Sequence, residues 1–243
     1  MRIQVHYPHD PRTGVPRDLS SAVVRAVAAQ VRAQLPIDDS VLALDVHLLA
    51  GAARRFDVNG RALEVTWHLA DELSDATGRP ALGACQVEPE RRDTVCVLIN
   101  RRASTDRPDL AVSTAAHELG HVVFDVPSMI EEPGRRYHNV VARAGLLDSA
   151  TYVAEQRAND FMGALLVPPV RVHTRLLARA CSEGLRLTRA ANCGRPGSPV
   201  LAANNAEESV AGVIAALAND FGVSDRFIAV RLARYGLIAG GKS

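Results

Sequence analysis

Two histidines, His117 and His121, stand four positions apart in the run Ser113-Thr114-Ala115-Ala116-His117-Glu118-Leu119-Gly120-His121-Val122-Val123-Phe124. On a helix such positions lie one above the other, so both imidazoles can reach a single tetrahedral Zn²⁺. Glu118, next to His117, can lean over the coordination position that a catalytic zinc leaves open. The pattern carries two metal ligands and a general base, the parts of a hydrolase. His117, Glu118 and His121 are also the only ionisable groups in a nearly apolar stretch, where buried charge is costly unless paired or bound to metal. The competing reading is a pair of core histidines satisfied by hydrogen bonds, with Glu118 incidental.

A catalytic zinc takes three protein ligands and an exchangeable water, so a third ligand must come from another element. Glu155 is the candidate. It falls in a helical pattern that begins near Ser149 and is stopped by Pro168-Pro169, with Ala154, Ala158, Phe161, Leu165 and Leu166 as the apolar stripe. Glu155 sits at the edge of that stripe, and an antiparallel pair of helices would turn it towards the metal. Spacing alone also allows a surface carboxylate paired with Arg157 or Arg143.

His117-Glu118-Leu119-Gly120-His121, followed by Glu155-x-x-Ala158-x-x-Phe161-x-x-x-Leu165-Leu166-x-Pro168, resembles the ImmA/IrrE metallopeptidases, a gluzincin-like family. The resemblance extends to Ile99-Asn100 upstream and to Phe221-Gly222-Val223-Ser224 and Arg231-Leu232 downstream, and spans roughly residues 80 to 238, with the two motif helices the most specific part. It implies that Glu155 is the third zinc ligand. It also implies a cytoplasmic zinc endopeptidase of restricted specificity that cuts a regulatory protein, typically a helix-turn-helix repressor. Three departures stand out: Met162-Gly163 where Ala usually follows Phe, Val167 in place of Met, and residues 186–208, which look inserted. None touches a ligand.

The expected mechanism places Glu118 to take a proton from a metal-activated water attacking a peptide carbonyl and to return it to the leaving amine. Tyr137, His138, Tyr152 and His173 are candidates for a second oxyanion donor. Cys193, in a Gly/Pro-rich stretch, could close the zinc as a thiolate, although a free cysteine is the simpler reading. The alternative function is a partner-binding or anti-repressor module that keeps the zinc fold without cleaving.

These groups must be positioned by the rest of the chain. Leu19, Val23, Val27, Val31 and Leu35 mark an amphipathic helix over residues 18–35, closed by Pro36, and a second helical pattern covers about 39–56. Alternation over 61–68, 82–87 and 94–100 predicts three strands, the last two a hairpin, with 82–87 nominated as a sheet edge for substrate. Asp106 is the expected N-cap of the His117 helix. Residues 125–139 read as an active-site rim, and two helices are expected over 209–221 and 224–235. The fold class is α+β: a mainly helical zincin-like domain with a small, mostly antiparallel three-stranded sheet, extra N-terminal helices and a C-terminal helix pair. The expected divisions are a helical region at 1–60, a metallopeptidase core at 61–185, a flexible linker at 186–208 and the helix pair at 209–243.

Composition excludes little. The chain has 243 residues, 47% hydrophobic and 23% charged, with a formal net charge of +1. Its basic residues form no footprint for nucleic acid, and the Asp220 and Asp225 carboxylates flank the turn of the C-terminal helix pair. The first ten residues lack the apolar core of an export signal and no long apolar run follows, so a cytoplasmic location without membrane contact is expected. Cys85, Cys96, Cys181 and Cys193 are isolated, as free thiols in a reducing compartment would be.

Overall fold

The computed structural model describes the chain apart from residues 1, 39, 71, 75–77, 79, 132–148, 193–194 and 241–243. By its contacts the chain divides into two units: Met1–Asp38 with Leu44–Leu165, and Asp39–Ala43 with Leu166–Ser243. Among the described residues no helix is long and apolar enough to cross a membrane.

The first unit is built on a mixed sheet. Its strands are β1 (Ile3–Val5), β2 (Arg55–Val58), β3 (Arg61–Ala70), β4 (Gly83–Val87) and β5 (Thr94–Asn100), in the order β1-β2-β3-β5-β4. The expected three-stranded, mostly antiparallel sheet is thus five-stranded. β1 and β2 pair in parallel, as do β3 and β5, while β2–β3 and β4–β5 are antiparallel. The region 1–60 is not purely helical, because β1 and β2 complete the sheet. Of the expected 39–56 helix only α2 (Val46–Ala52) forms, starting at the Asp45 cap, and the residues after it extend into β2. The 18–35 pattern gives α1 (Ser21–Gln34), capped by the Ser20 side chain.

Register places Ile3 and Val5 beside Phe56 and Val58, Phe56 beside Leu63, Val65 beside Val95, and Cys85 and Gly83 beside Val97 and Ile99. Alternation then puts all of these on one face, and all are buried. That face is the core side of the sheet.

The helix carrying the histidines, α4 (Pro108–Phe124), packs on β4 and β5 and against α2. Asp106 does not cap it. A short helix, α3 (Arg101–Asp106), intervenes, because the Asn100 side chain accepts from Arg102 N at 3.0 Å and starts a turn there. The same side chain donates to Ala81 O at 2.9 Å, so Asn100 ties the approach to β4 to the end of β5. α4 begins with Pro at its first position, and Asp109 in the first turn suits the positive end of the helix dipole. The first part of the expected rim forms α5 (Val126–Glu131); Tyr137, His138 and Arg143 lie outside the described residues.

α6 (Ser149–Leu166) crosses α4 at Gly120. A Cβ at Gly120 would stand 3.0 Å from Ala158 Cα, so glycine is what permits the approach. Beside that crossing the Phe124 and Phe161 rings meet edge to face at 5.8 Å. Gly120→Ala is expected to destabilise the protein by about 1–3 kcal/mol despite alanine's better helix propensity, because backbone must move. Urea denaturation measures it, and unchanged stability would show that the crossing can relax.

The second unit contains α7 (Pro169–Ser182), the strands β6 (Leu187–Asn192) and β7 (Arg195–Leu201), α8 (Glu207–Phe221) and α9 (Asp225–Arg234). The stretch expected as a flexible linker is therefore largely an antiparallel hairpin, held by the His173 ring to Pro199 O at 2.7 Å and by backbone pairing of β7 with Ile238. The C-terminal helix pair forms as expected, with Ser224 capping α9.

Candidate metal centre

α4 turns one face towards the sheet edge and another towards α6, and its two histidines look across to Glu155. His117 Nε2 and His121 Nε2 are 3.1 Å apart. Glu155 Oε2 is 3.3 Å from His117 Nε2, and Oε1 is 3.5 Å from His121 Nε2. The three residues offer ligand atoms within 4.8 Å of one another, so the cluster could hold a metal ion. Of the two arginines in the competing reading of Glu155, Arg157 pairs with Asp125 instead, and Arg143 lies outside the described residues.

The donor chemistry fits a divalent cation. Glu118, Asp125 and Glu155 are largely buried acids, with Arg157 as the cation in their network. Taken as ionised, these described residues carry an excess of two negative charges, which a dication would neutralise. Glu118 Oε2 is buried and has no hydrogen-bond partner among the described residues, an arrangement that is costly unless a ligand or water completes it. Two imidazoles and one carboxylate also match the donor set of catalytic zinc sites.

Glu118 is pinned from the sheet side. A Cβ at Gly83 would stand 2.9 Å from Glu118 Oε1 and 2.6 Å from Thr114 Cγ2, so only glycine lets β4 approach the carboxylate this closely. Burial pushes the Glu118 carboxyl above its usual range, offset in part by His121 and His117 and reinforced by Glu155. A desolvated carboxylate of this kind is a stronger base than one in water.

Sequence reasoning did not find Asp125. His121 Nδ1 is 2.7 Å from Asp125 Oδ2, which fixes the ring so that Nε2 faces the cluster. The signal was present in the spacing, since Asp125 lies four residues after His121 at the helix end. Arg157 on α6 grips the other carboxylate oxygen of Asp125 and lies over the Phe124 ring, 5.5 Å from its centroid.

In the metal-free protein, burial lowers the affinity of His121 for a proton, but the hydrogen bond and charge of Asp125 outweigh it and leave its pKa above 6.5. For Asp125, burial raises the pKa, and the bond to His121 together with Arg157 more than reverses that. The raised His121 value contributes stability below pH 6.5 that is lost as pH rises through the folded value. The depressed Asp125 value contributes stability above pH 3.8 that is lost as pH falls through the folded value. Metal-free protein is therefore expected to be most stable in mild acid and to weaken towards alkaline pH. The rise in Tm on adding Zn²⁺ should grow over the same range, because protons no longer compete for His121. Thermal melts from pH 5 to pH 8 with and without Zn²⁺ check this, and a Zn²⁺ increment that shrinks with pH would contradict it.

The remaining candidates are placed as follows. Tyr152 is on α6 and 55% exposed. His173 belongs to the second unit, where its ring is engaged with Pro199. Cys193 lies outside the described residues, while Cys85, Cys96 and Cys181 are free thiols. Burial and then the Glu118 charge push the Cys85 thiol well above its usual range, which keeps it protonated and inert beside the site.

The chain matches no protein-family model and no curated protein.

Proposed function

We propose that the chain is a zinc-dependent peptidase in which His117, His121 and Glu155 hold the metal and Glu118 is the general base. The observation that carries this reading is the convergence of three ligand atoms within 4.8 Å beside a buried Glu118 oxygen that lacks a partner among the described residues. Zinc held there would act as a Lewis acid on a carbonyl and lower the pKa of a water. Glu118 accepts the proton of the attacking water and hands it to the departing amine. The missing side chain at Gly83 leaves room for the Glu118 carboxylate beside β4, and Asp125 holds the His121 ring.

β4 supports a peptide as substrate. It is the last strand in the sheet order and, among the described residues, pairs with β5 alone, which leaves its outer backbone groups to an extended chain. This is the edge expected from the sequence, and Gly83 sets it directly beside the base. Side chains of Glu155 and His117 are 17% and 11% exposed, which leaves the cluster reachable from solvent. A regulatory protein as substrate rests on the ImmA/IrrE resemblance alone.

The test is to incubate the Zn²⁺-loaded chain with a peptide library made from a digested proteome and to read new termini by mass spectrometry. New cleavages that vanish with a chelator and return with Zn²⁺ are expected. A zinc-loaded chain that cuts nothing in the library, while it still binds a protein partner, would favour the non-cleaving module.

A further inference from the structure

The metal ligands come from two helices, so the fit of the site depends on how α6 lies against α4. Three contacts bear on that. Gly120 and Ala158 form the closest approach and act as a pivot. On one flank of α6, Glu155 reaches His117 and His121. On the other, Arg157 reaches Asp125. The Phe124–Phe161 ring contact and the Ser21 hydroxyl on Asp160 also hold α6, and contacts on both flanks of the pivot add resistance to a roll of the helix about its axis. Asp125 is the link between the two: its Oδ2 faces His121 Nδ1 at 2.7 Å and its Oδ1 is held by Arg157. With both oxygens engaged the carboxylate cannot turn, and the His121 ring cannot turn either. Asp125 and Arg157 are 6% and 13% exposed, so water competes weakly for either partner.

We infer that Arg157 is a positioning residue for the metal, acting through Asp125 to fix the His121 imidazole and to lock α6, with Glu155, against α4. This rests on the metal reading of the His117, His121 and Glu155 cluster. Positioning and simple electrostatics act on the metal with opposite signs. Arg157 is a positive charge near a cation site, so its charge alone would weaken metal binding, and neutralising it would tighten binding. A positioning role gives the opposite result.

The experiment measures Zn²⁺ affinity by competition with a chromophoric chelator, and the absorption spectrum of the Co²⁺-loaded protein, for the whole chain and four variants. Arg157→Met is expected to weaken Zn²⁺ binding roughly tenfold and to shift the Co²⁺ bands, as outer-shell replacements do. Arg157→Lys keeps a charge but replaces the planar guanidinium whose Nη2 meets Asp125 Oδ1, and should fall between Met and wild type. Asp125→Asn should weaken binding at least as much as Arg157→Met. Combining Asp125→Asn with Arg157→Met should add little, because the two residues act in series. Arg157→Met that binds Zn²⁺ as tightly as wild type or tighter, with an unchanged Co²⁺ spectrum, overturns the proposal, and so does full additivity in the double variant. Should Arg157→Met fail to fold, Arg157→Lys decides: a few-fold loss sustains the proposal, and wild-type affinity and spectrum overturn it. If the wild-type chain itself takes up no Zn²⁺, the metal reading has failed and the role of Arg157 falls with it.

Discussion

Glu118→Gln is expected to reduce peptide cleavage by roughly 10²–10⁴-fold while zinc content and fold stay as in the wild type, the range typical for loss of a general base. The substitution is chosen for shape. Gly83 and Thr114 crowd the Glu118 side chain, and glutamine occupies the same volume without new contacts. Glutamine cannot accept the proton of the attacking water, so the loss should fall on kcat with KM little changed. Steady-state kinetics on any peptide found to be cut, with zinc measured on the same sample, reads both quantities. A variant that cuts as fast as wild type would remove Glu118 from the chemistry. A variant that still releases a bound partner, from a protein that never cleaves it, would instead support the partner-binding module.

The second large effect concerns the ligands. His117→Ala, His121→Ala and Glu155→Ala should each weaken Zn²⁺ binding by roughly a few hundredfold, since three ligands share a binding free energy on the order of 10 kcal/mol. The expected ranking is informative. Loss of His121 should be the most damaging, because it also leaves Asp125 as a buried acid with Arg157 alone. Burial raises the Glu155 pKa, but the hydrogen bond from His117 and the charges of both histidines more than reverse that, so loss of this carboxylate should also cost the metal-free protein some stability. Calorimetric titration with Zn²⁺ checks the affinities. If Glu155→Ala binds as tightly as wild type, the third ligand lies elsewhere.

The site was legible in the sequence to the extent that it is written along single helices. His117, Glu118 and His121 share one helical face, and helix spacing alone brings them together. Glu155 could be named because its helix carries a recognisable apolar framework, and the geometry brings its carboxylate to both histidines. Arg157 was weighed only as a neighbour of Glu155. Its true partner, Asp125, is far away in the chain, and no periodicity links residues on separate helices. Gly83 was likewise silent, because its importance is the nearness of another element.

The fold was read best where patterns are long. α1, α6 and the C-terminal helices follow their apolar stripes, and β3 to β5 follow their alternation. β1 and β2 were missed because strands of three and four residues give too little alternation to register. The parallel pairing of β3 with β5 depends on a crossover that local sequence does not encode. Pro168-Pro169 was read as a stop, and it is one for α6. The same pair also starts α7, with Pro at its first position, where the missing N–H costs nothing. The stretch of β6 and β7 reads as a linker because it is rich in Gly, Pro and Asn, yet its strands pair with each other and find partners in His173 and Ile238.

All of this hangs on one claim, that His117, His121 and Glu155 hold zinc. The most direct measurement is anomalous diffraction at the zinc edge from crystals of the Zn²⁺-loaded chain. The expected result is a single anomalous peak bonded to His117 Nε2, His121 Nε2 and a Glu155 oxygen, with one position left to solvent. No peak at that cluster, or a peak with Glu155 turned away from it, would contradict the account.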